Sequence, residues 1–362
     1  MLERERRSFQ VDNKKLLKTL SEATGISGYE KDLANLISDS FQPYCDEIKD
    51  DKLGNLIAIK KAENNSDQAP NIMLAAHMDE IGLMVTKIEE KGFLRFTYVG
   101  GVDPRTLLGQ EVVVHGKEEV IGIIGARPPH LSDEKERNEA PDKEKLFIDL
   151  GLSKGKSEEI INVGDLVSIK RDFNTLDGEI VTGKSLDDRA GVIMLFECLK
   201  ELQYLKTNVN VHAVATIQEE VGIRGAITSS YSIYPDIGIA VDVCHADMPG
   251  VEKDRVVDMG EGPAVSFGPH VHPKIYDKLT EIADDQNIPY QPEPATHPGG
   301  TDAWGIQIAR SGVASALVSI PLRYMHTSVE TISLHDVKAG GQLLAQFIAR
   351  IDSDFVEGLT CY

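Results

Sequence analysis

The sequence predicts an α/β protein in which a mixed, largely parallel sheet lies between helices and is interrupted by a small, barrel-like all-β insert. Helical and strand patterns alternate before about residue 78 and again after about residue 180, whereas strand patterns dominate between them. Such alternation is typical of a parallel sheet covered on both faces. The length of 362 residues also exceeds one ordinary core. We therefore predict a discontinuous α/β domain, 1–78 and 180–362, and an inserted β domain, 79–179.

The N-terminal part begins with helices and continues with strands. Leucines with helical spacing predict helices over residues 13–24 and 30–41. Strand patterns follow at residues 45–49 and 55–59, before and after a Gly-containing turn. The short apolar run NIMLAA, residues 71–76, predicts a strand buried on both faces.

The insert and the C-terminal part differ in their periodicity. The insert contains short strand patterns separated by turns: LMVTKI, FLRFTYV, EVVVHG, VIGIIG and DLVSIK. The C-terminal part predicts an amphipathic helix over residues 188–205, a helix over 273–287 and a final amphipathic helix over 336–352. The strands between these helices are VNVHAVATI, DIGIAVDV and VASALVSI.

Composition excludes several classes of protein. The 58 acidic and 38 basic residues give a formal charge of −20, which opposes binding to nucleic acids and to anionic membranes. No run approaches the roughly 20 apolar residues needed to span a bilayer, and the charged N-terminus lacks the apolar core of a signal peptide. The four cysteines show no CxxC spacing. We expect a cytoplasmic protein with neither nucleic-acid nor membrane partners.

Acidic and histidine side chains follow the apolar runs of the predicted α/β domain. His77 follows NIMLAA, Asp187 opens the helix after the insert, and Asp242 ends the IGIAV run. Glu219 and Glu220 follow VNVHAVATIQ, and His326 follows VASALVSI through a short loop, PLRYM. Because the carboxyl ends of strands in an open α/β sheet form its binding crevice, we expect these side chains to converge.

These residue types suit an open catalytic site for two divalent metal ions. Imidazole and carboxylate ligands without thiolate favour zinc or cobalt, with manganese as a further option. We predict His77 and Asp242 on one ion, Glu220 and His326 on the other, and Asp187 between them. Two such ions can activate a water near neutral pH and stabilise a tetrahedral oxyanion.

Four neighbouring carboxylates are not predicted to bind the ions. Glu219 is free to act as a general base, because adjacent residues past a strand end usually diverge. Asp79 could accept the second N–H of the His77 imidazole and orient it. We favour Asp187 as the ligand and Asp188 as its helper, although one of the two aspartates could instead cap the helix. Asp79 and Glu80 could also be surface charges, and we expect Glu80 to be one.

The motifs AAHMDE, SLDDRAG, QEEVG, AVDV and RYMHT, taken in this order, resemble the metal-site motifs of metallopeptidase family 42, the glutamyl and tetrahedral aminopeptidases. The similarity extends over nearly the whole chain and implies a di-zinc exopeptidase-like fold with a β insert. It implies the same five ligands, His77, Asp187, Glu220, Asp242 and His326, with Glu219 as general base and Asp79 as the residue that orients His77. It also implies a homo-oligomer, often a tetrahedral dodecamer, that acts on peptides with a free N-terminus.

On this interpretation the α/β domain is catalytic and the insert serves substrate access or oligomerisation. Two other functions stay open at this point. Some family members carry endoglucanase names, so a glycoside hydrolase is one alternative; a catalytically silent, metal-binding oligomeric scaffold is another. The preferred N-terminal residue, and the roles of His245, His270, His272, His297 and Cys244, are left open.

Overall fold

The computed structural model describes residues 12–63, 69–131, 139–296 and 299–359. Its α-helices among these residues are α1 Asn13–Glu22, α2 Lys31–Phe41, α3 Lys154–Ile160, α4 Leu186–Glu201, α5 Arg224–Ile233, α6 Pro273–Gln286, α7 Asp302–Gln307, α8 Leu334–Arg350 and α9 Ser353–Glu357. Its strands are β1 Glu47–Asp50, β2 Leu56–Lys60, β3 Asn71–His77, β4 Gly82–Ile88, β5 Leu94–Val99, β6 Glu111–His115, β7 Glu119–Gly125, β8 Phe147–Asp149, β9 Leu166–Ile169, β10 Asn174–Thr175, β11 Ile180–Gly183, β12 Asn210–Thr216, β13 Ile237–His245, β14 Ala264–Phe267, β15 Gln291–Pro294, β16 Ala314–Arg323 and β17 Glu330–Ser333.

A mixed eleven-stranded sheet forms the larger part of the molecule. Its main path runs β1-β2-β12-β3-β13-β16-β17-β11-β10, and β14 and β15 branch from β16. The central strands β12, β3, β13 and β16 are parallel, whereas the flanking pairs are antiparallel. The prediction of a mixed, largely parallel sheet is therefore confirmed.

Helices cover both faces of this sheet because the strands are apolar on both sides. In β3, Ile72 and Leu74 lie in one core with α1, α2, α4, α6 and α8, and Met73 and Ala75 lie in the other with α5 and α7. This alternation follows from the two-residue period of a strand. No helix of the described part of the chain is long and apolar enough to cross a membrane.

Helix α4 is buried all round. Every residue from Leu186 to Leu199 is buried, because α4 packs between the sheet and α8. The prediction of an amphipathic helix in this segment is therefore wrong. A helix without a solvated face lacks the one-sided pattern on which that prediction depended.

A closed antiparallel barrel separates β3 from β11. Its strands follow the order β4-β5-β8-β7-β6-β9, and its own core includes Leu83, Phe96, Val112 and Ile148. Closure leaves no open sheet edge. The barrel-like all-β insert is thus confirmed as part of the fold, while the domain limits at residues 78/79 and 179/180 stay predictions.

The central parallel strands place the candidate site at one edge of the sheet. The ladder between β3 and β13 ends at Ala75 and Ala240, two residues before His77 and Asp242. Because the two strands are no longer paired beyond this point, a crevice opens between their ends.

Candidate active site

Asp187 lies between the two histidines that the sequence predicts as ligands. Its Oδ1 is 3.0 Å from His77 Nε2, and its Oδ2 is 3.3 Å from His326 Nε2. Asp187 is the second residue of α4, and the peptide that joins it to Asp188 is cis. One carboxylate therefore faces both imidazoles, each with a different oxygen.

Two groups of possible ligand atoms share Asp187. His77, Asp187 and Asp242 form a buried group, and Asp187, Glu220 and His326 form a more open one. Within each group, one ligand atom per residue lies within 4.8 Å of the others. The structure thus brings together the five predicted ligands, although their role as ligands stays a prediction.

The two adjacent glutamates approach different halves of this arrangement. Glu220 Oε1 is 3.4 Å from His326 Nε2, whereas Glu219 Oε2 is 3.9 Å from His77 Nε2. They follow Gln218, whose φ of 54° places it in the left-handed region. This turn, just after β12, sends the two side chains to different partners.

The Asp79 carboxylate binds the backbone that carries both glutamates. Its Oδ1 accepts a hydrogen bond from Glu219 N at 3.0 Å, and its Oδ2 accepts one from Glu220 N at 3.2 Å and one from Ser27 Oγ at 2.6 Å. Asp79 Oδ1 is also 3.6 Å from His77 Nδ1, which lies 3.2 Å from the backbone oxygen of Asp79. The Asp79 carboxylate therefore holds the backbone of the glutamate pair, while its role in orienting His77 stays a prediction.

Burial and mutual repulsion perturb the acids of the site. Burial raises the pKa of Asp242 to about 8, that of Glu220 to about 7 and that of Glu219 to about 10. Burial alone would also raise the pKa of Asp187, but hydrogen bonds from the two histidines hold it below its ordinary value. The hydrogen bond to Asp187 in turn raises the pKa of His326 to about 9.

The donor set fits divalent cations. Among the described residues, no Lys or Arg forms an ion pair with Asp187, Glu219, Glu220 or Asp242. Histidines lie within ion-pair distance of the first three of these acids. Glu219 Oε1 is buried without a hydrogen-bond partner. Clustered carboxylates in a buried place are costly unless positive charge compensates them. Imidazole and carboxylate ligands are those that zinc, cobalt and manganese accept.

Two further residues hold the site, and the sequence analysis missed both. The Glu330 carboxylate accepts hydrogen bonds from Leu186 N at 2.7 Å and Asp187 N at 3.1 Å through Oε2, and from His326 N at 2.9 Å through Oε1. The Gly101 carbonyl oxygen, from the barrel, lies 3.1 Å from His326 Nδ1. The available signal for Glu330 was its place four residues after His326; a backbone carbonyl leaves no signal in a sequence.

Glu80 is buried, so its prediction as a surface charge is wrong. Its carboxylate lies 2.6 Å from Lys184 Nζ and 3.3 Å from Arg189 Nη2, and it accepts a hydrogen bond from Ser185 Oγ. Burial alone would raise its pKa, but the two cations lower it to about 2. Internal ion pairs therefore take the place of water around this charge.

Asp188 lies just behind Asp187. Its Oδ1 accepts a hydrogen bond from Gly191 N at 3.0 Å, as a capping side chain does, and its Oδ2 is buried without a partner. Burial, followed by the charge of Asp242, raises the pKa of Asp188 well above its ordinary value. Asp188 therefore makes a hydrogen bond of the capping type, while its predicted support of Asp187 stays a prediction.

The candidate ligands line a solvent-open cleft of about 460 Å³. A neighbouring pocket of about 330 Å³ shares Val243, Gly300, Thr301 and Met325 with this cleft. Its lining includes three of the side chains left open above: Cys244, His245 and His270. His297 lies outside the described residues.

Comparison with known proteins identifies the family. The model of the family described as M42 glutamyl aminopeptidase matches residues 54–343. A lysyl aminopeptidase of Pyrococcus furiosus is 39% identical over 327 residues, which are 89% of this chain and 92% of that protein.

Solved structures agree with this family. A TET aminopeptidase from a marine sediment Thaumarchaeota archaeon is 34% identical, with a TM-score of 0.91 over 96% of this chain and 99% of that one. The TET1 peptidase of Pyrococcus horikoshii, described as able to assemble into a tetrahedron or a large octahedral shell, is 33% identical, with a TM-score of 0.83 over 94% and 100%. Two other similar structures carry the word endoglucanase in their names. The family match, the aminopeptidase relatives and the TET structures support aminopeptidase function, and the chain belongs to the M42 glutamyl aminopeptidase family.

Proposed function

We propose that the protein is a metal-dependent aminopeptidase that hydrolyses N-terminal residues from peptides through a two-metal centre. The observation that carries this proposal is the pair of ligand groups that share Asp187, with the Glu219 carboxylate beside them. His77 and Asp242 would hold one ion, Glu220 and His326 the other, and Asp187 both. Divalent ions bound there supply a Lewis acid for the scissile carbonyl and lower the pKa of a water.

Glu219 is the general base of the proposed reaction. Its carboxylate takes a proton from the attacking water and later gives a proton to the leaving amine. A group that does both near neutral pH needs a pKa close to neutrality. Burial raises the pKa of Glu219, and the positive charge of the two proposed ions would lower it again toward that range. Asp79 keeps Glu219 in place through the backbone hydrogen bond described above.

The surrounding charge suits a substrate with a free amino terminus. The free α-amine of a substrate would approach one of the proposed ions and the Glu219 carboxylate beside it, whereas an acylated nitrogen has neither a basic lone pair nor a positive charge. We place the N-terminal side chain of the substrate in the neighbouring pocket, because that pocket opens directly from the cleft.

A cleavage assay tests the proposal. The protein is stripped with EDTA, reloaded with zinc, cobalt or manganese, and incubated with peptides that differ in their N-terminal residue. We expect stepwise release of N-terminal residues from free peptides, no release from the same peptides after N-acetylation, and loss of activity in EDTA. Absence of cleavage by protein with both sites filled would contradict the proposal.

The glycoside hydrolase alternative explains less of the site. Glycosidases use two carboxyl groups at a defined separation and need no metal. Here, by contrast, two histidines face the same Asp187 carboxylate beside the other acids of the cleft. Release of sugar from a β-glucan in the presence of EDTA would favour this alternative. A silent scaffold has no need of Glu219, whose Oε1 is buried without a partner in the cleft.

We also propose that the protein acts in the cytoplasm as a homo-oligomer, in the form of a tetrahedral dodecamer. The TET peptidase relatives support an assembly, since one of them is described as a tetrahedron or an octahedral shell. Light scattering of the metal-loaded protein measures the subunit number; a monomer at working concentration would contradict the assembly.

A further inference from the structure

We propose that Glu330 is the positioning residue for the Asp187–Glu220–His326 half of the centre and thereby sets the affinity for one of the two ions. The inference rests on the proposed function, which supplies the ions. Glu330 accepts hydrogen bonds from the backbone of two candidate ligands, Asp187 and His326, and belongs to neither group of ligand atoms itself.

The Glu330 side chain joins two chain segments that are far apart in sequence. Its two oxygens accept N–H groups from the start of α4, at Leu186 and Asp187, and from the loop after β16, at His326. Glu330 begins β17 and is only 3% exposed. Glu330 in β17 pairs with Gly183 at the end of β11, and α4 begins shortly after β11. The sheet therefore fixes the Glu330 carboxylate close to the start of α4.

Both segments that Glu330 holds contain strained backbone. His326 has a φ of 58°, and Ser185, directly before Leu186, has a φ of 57°. Residues with a Cβ rarely occupy this left-handed region, because the side chain crowds the following carbonyl. Such conformations persist when surrounding contacts over-determine them. The hydrogen bonds of Glu330 to the amides of Leu186 and His326 are contacts of this kind.

The two halves of the centre depend on Glu330 to different degrees. His77 and Asp242 project from the central strands β3 and β13 and are 2% and 6% exposed. His326 lies on a loop, and its side chain is 33% exposed. Loss of Glu330 therefore leaves His77 and Asp242 supported by the sheet and releases the loop that carries His326. Asp187, which both halves share, loses one amide acceptor, so the difference between the halves comes from His326.

Asp79 provides a parallel within the same site. It accepts the N–H groups of Glu219 and Glu220, as Glu330 accepts those of Asp187 and His326. Each of the two buried carboxylates thus fixes the backbone of two site residues, and thereby the directions of their side chains. Partners of this kind typically change metal affinity by about 10–100-fold when they are removed.

Glu330→Gln is the sharpest variant, because it keeps the shape of the side chain. It replaces one acceptor oxygen with an NH2 donor, which then faces a backbone N–H instead of accepting from it. Glu330→Asp keeps both oxygens but is one methylene shorter, so it cannot reach both segments at once. Asp336→Asn is the matched control, because Asp336 is a buried carboxylate that accepts N–H groups from Gly260 and Gly262, each at 2.8 Å, and contacts none of the candidate ligands.

The experiment is a titration of the metal-free proteins with cobalt(II). Calorimetry measures the affinity for each ion, and visible absorption reports the surroundings of the bound cobalt. We expect wild type and Asp336→Asn to bind two ions per subunit with the same affinities. We expect Glu330→Gln to bind one ion as wild type does and the second about 10–100-fold more weakly, with a changed spectrum for that ion. Glu330→Asp should fall between them, and it replaces Glu330→Gln in the comparison if the latter does not fold.

Wild-type affinity for both ions in the Glu330 variants would overturn the inference, and so would an equal loss of both ions. Cleavage of peptides by wild type is measured in parallel. An active wild type with unaltered Glu330 variants contradicts the positioning role alone, whereas a wild type that binds fewer than two ions contradicts the proposed centre and the positioning role together.

Discussion

At the scale of single residues, Glu219 and Glu220 show how neighbours with the same side chain can have different surroundings. Both are attached to backbone that Asp79 fixes, yet they approach different histidines. Asp187 differs from both, because it faces two imidazoles at once and its pKa is lowered while theirs are raised. The chemistry of each carboxylate is therefore set by its partners, as expected for a catalytic site.

The Glu219→Gln and Glu220→Gln variants test this difference. We expect Glu219→Gln to keep two ions per subunit and lose about 10²–10⁴-fold in kcat, because it removes a general base and no ligand. We expect Glu220→Gln to bind one ion more weakly. Metal content by mass spectrometry, together with peptide hydrolysis at saturating metal, separates the two effects; loss of metal in Glu219→Gln would count against its assignment as base.

The sequence contained enough information to bring the main site residues together, for a physical reason. His77, Asp242 and His326 each follow an apolar run, and ends of parallel strands meet at one edge. The buried contacts of Glu330 and Glu80 were not predicted, because they depend on which groups pack around these two side chains. A buried glutamate that accepts backbone N–H groups and a solvated one look alike in a sequence, and only the packing of β17 and α4 distinguishes them.

At the scale of elements, the barrel contributes to the active site through one backbone group. The Gly101 carbonyl lies 3.1 Å from His326 Nδ1, so the loop after β5 contacts a candidate ligand on the loop between β16 and β17. A Cβ added to Gly101 would lie 3.0 Å from the same nitrogen. The barrel therefore contacts a candidate ligand of the active site directly, through the loop after β5.

The Gly101→Ala variant tests this coupling. The added methyl group should displace the His326 ring, so we expect metal affinity and kcat/KM to fall about tenfold or more with little change in Tm. Gly155→Ala is the control, because it lies in α3 and a Cβ there meets nothing within 4 Å. Equal activity of both variants would mean that the loop does not aim His326.

Element boundaries were predictable where a strand or helix presents a simple periodicity. The run NIMLAA predicted β3 to within one residue, because a strand buried on both faces is continuously apolar. The prediction for α4 was wrong for a related reason, since a fully buried helix can contain polar groups that face other protein groups instead of solvent. Asp187, Asp188 and Arg189 are such groups, and all three are buried.

At the scale of the whole molecule, the buried charges link stability, pH and metal. In the metal-free protein, Asp242 and Glu220 have pKa values of about 8 and 7, above those of an unfolded chain, and His326 has one of about 9, also raised. Groups with a raised folded pKa add stability that is fully present below the unfolded pKa and is lost as pH rises through the folded value. All three shifts therefore act in the same direction.

We expect the metal-free protein to lose stability between about pH 5 and pH 9, with Tm falling on the order of 5–10 °C. Bound ions replace the protons, so the loaded protein should be nearly independent of pH in this window and should release protons as metal binds. Calorimetric scans with EDTA and with cobalt measure both effects. Asp242→Asn should show a shallower fall, whereas a metal-free Tm that stays level or rises from pH 5 to pH 9 would contradict the assigned shifts.

The central claim is a pair of ions joined by Asp187, and anomalous X-ray diffraction from crystals of the cobalt- or zinc-loaded protein tests it most directly. We predict two anomalous peaks per subunit roughly 3.5–4 Å apart, with one Asp187 oxygen on each ion, His77 and Asp242 on the first ion, Glu220 and His326 on the second, and Glu219 bound to neither. A single peak at saturating metal, or two peaks without Asp187 between them, would contradict the account.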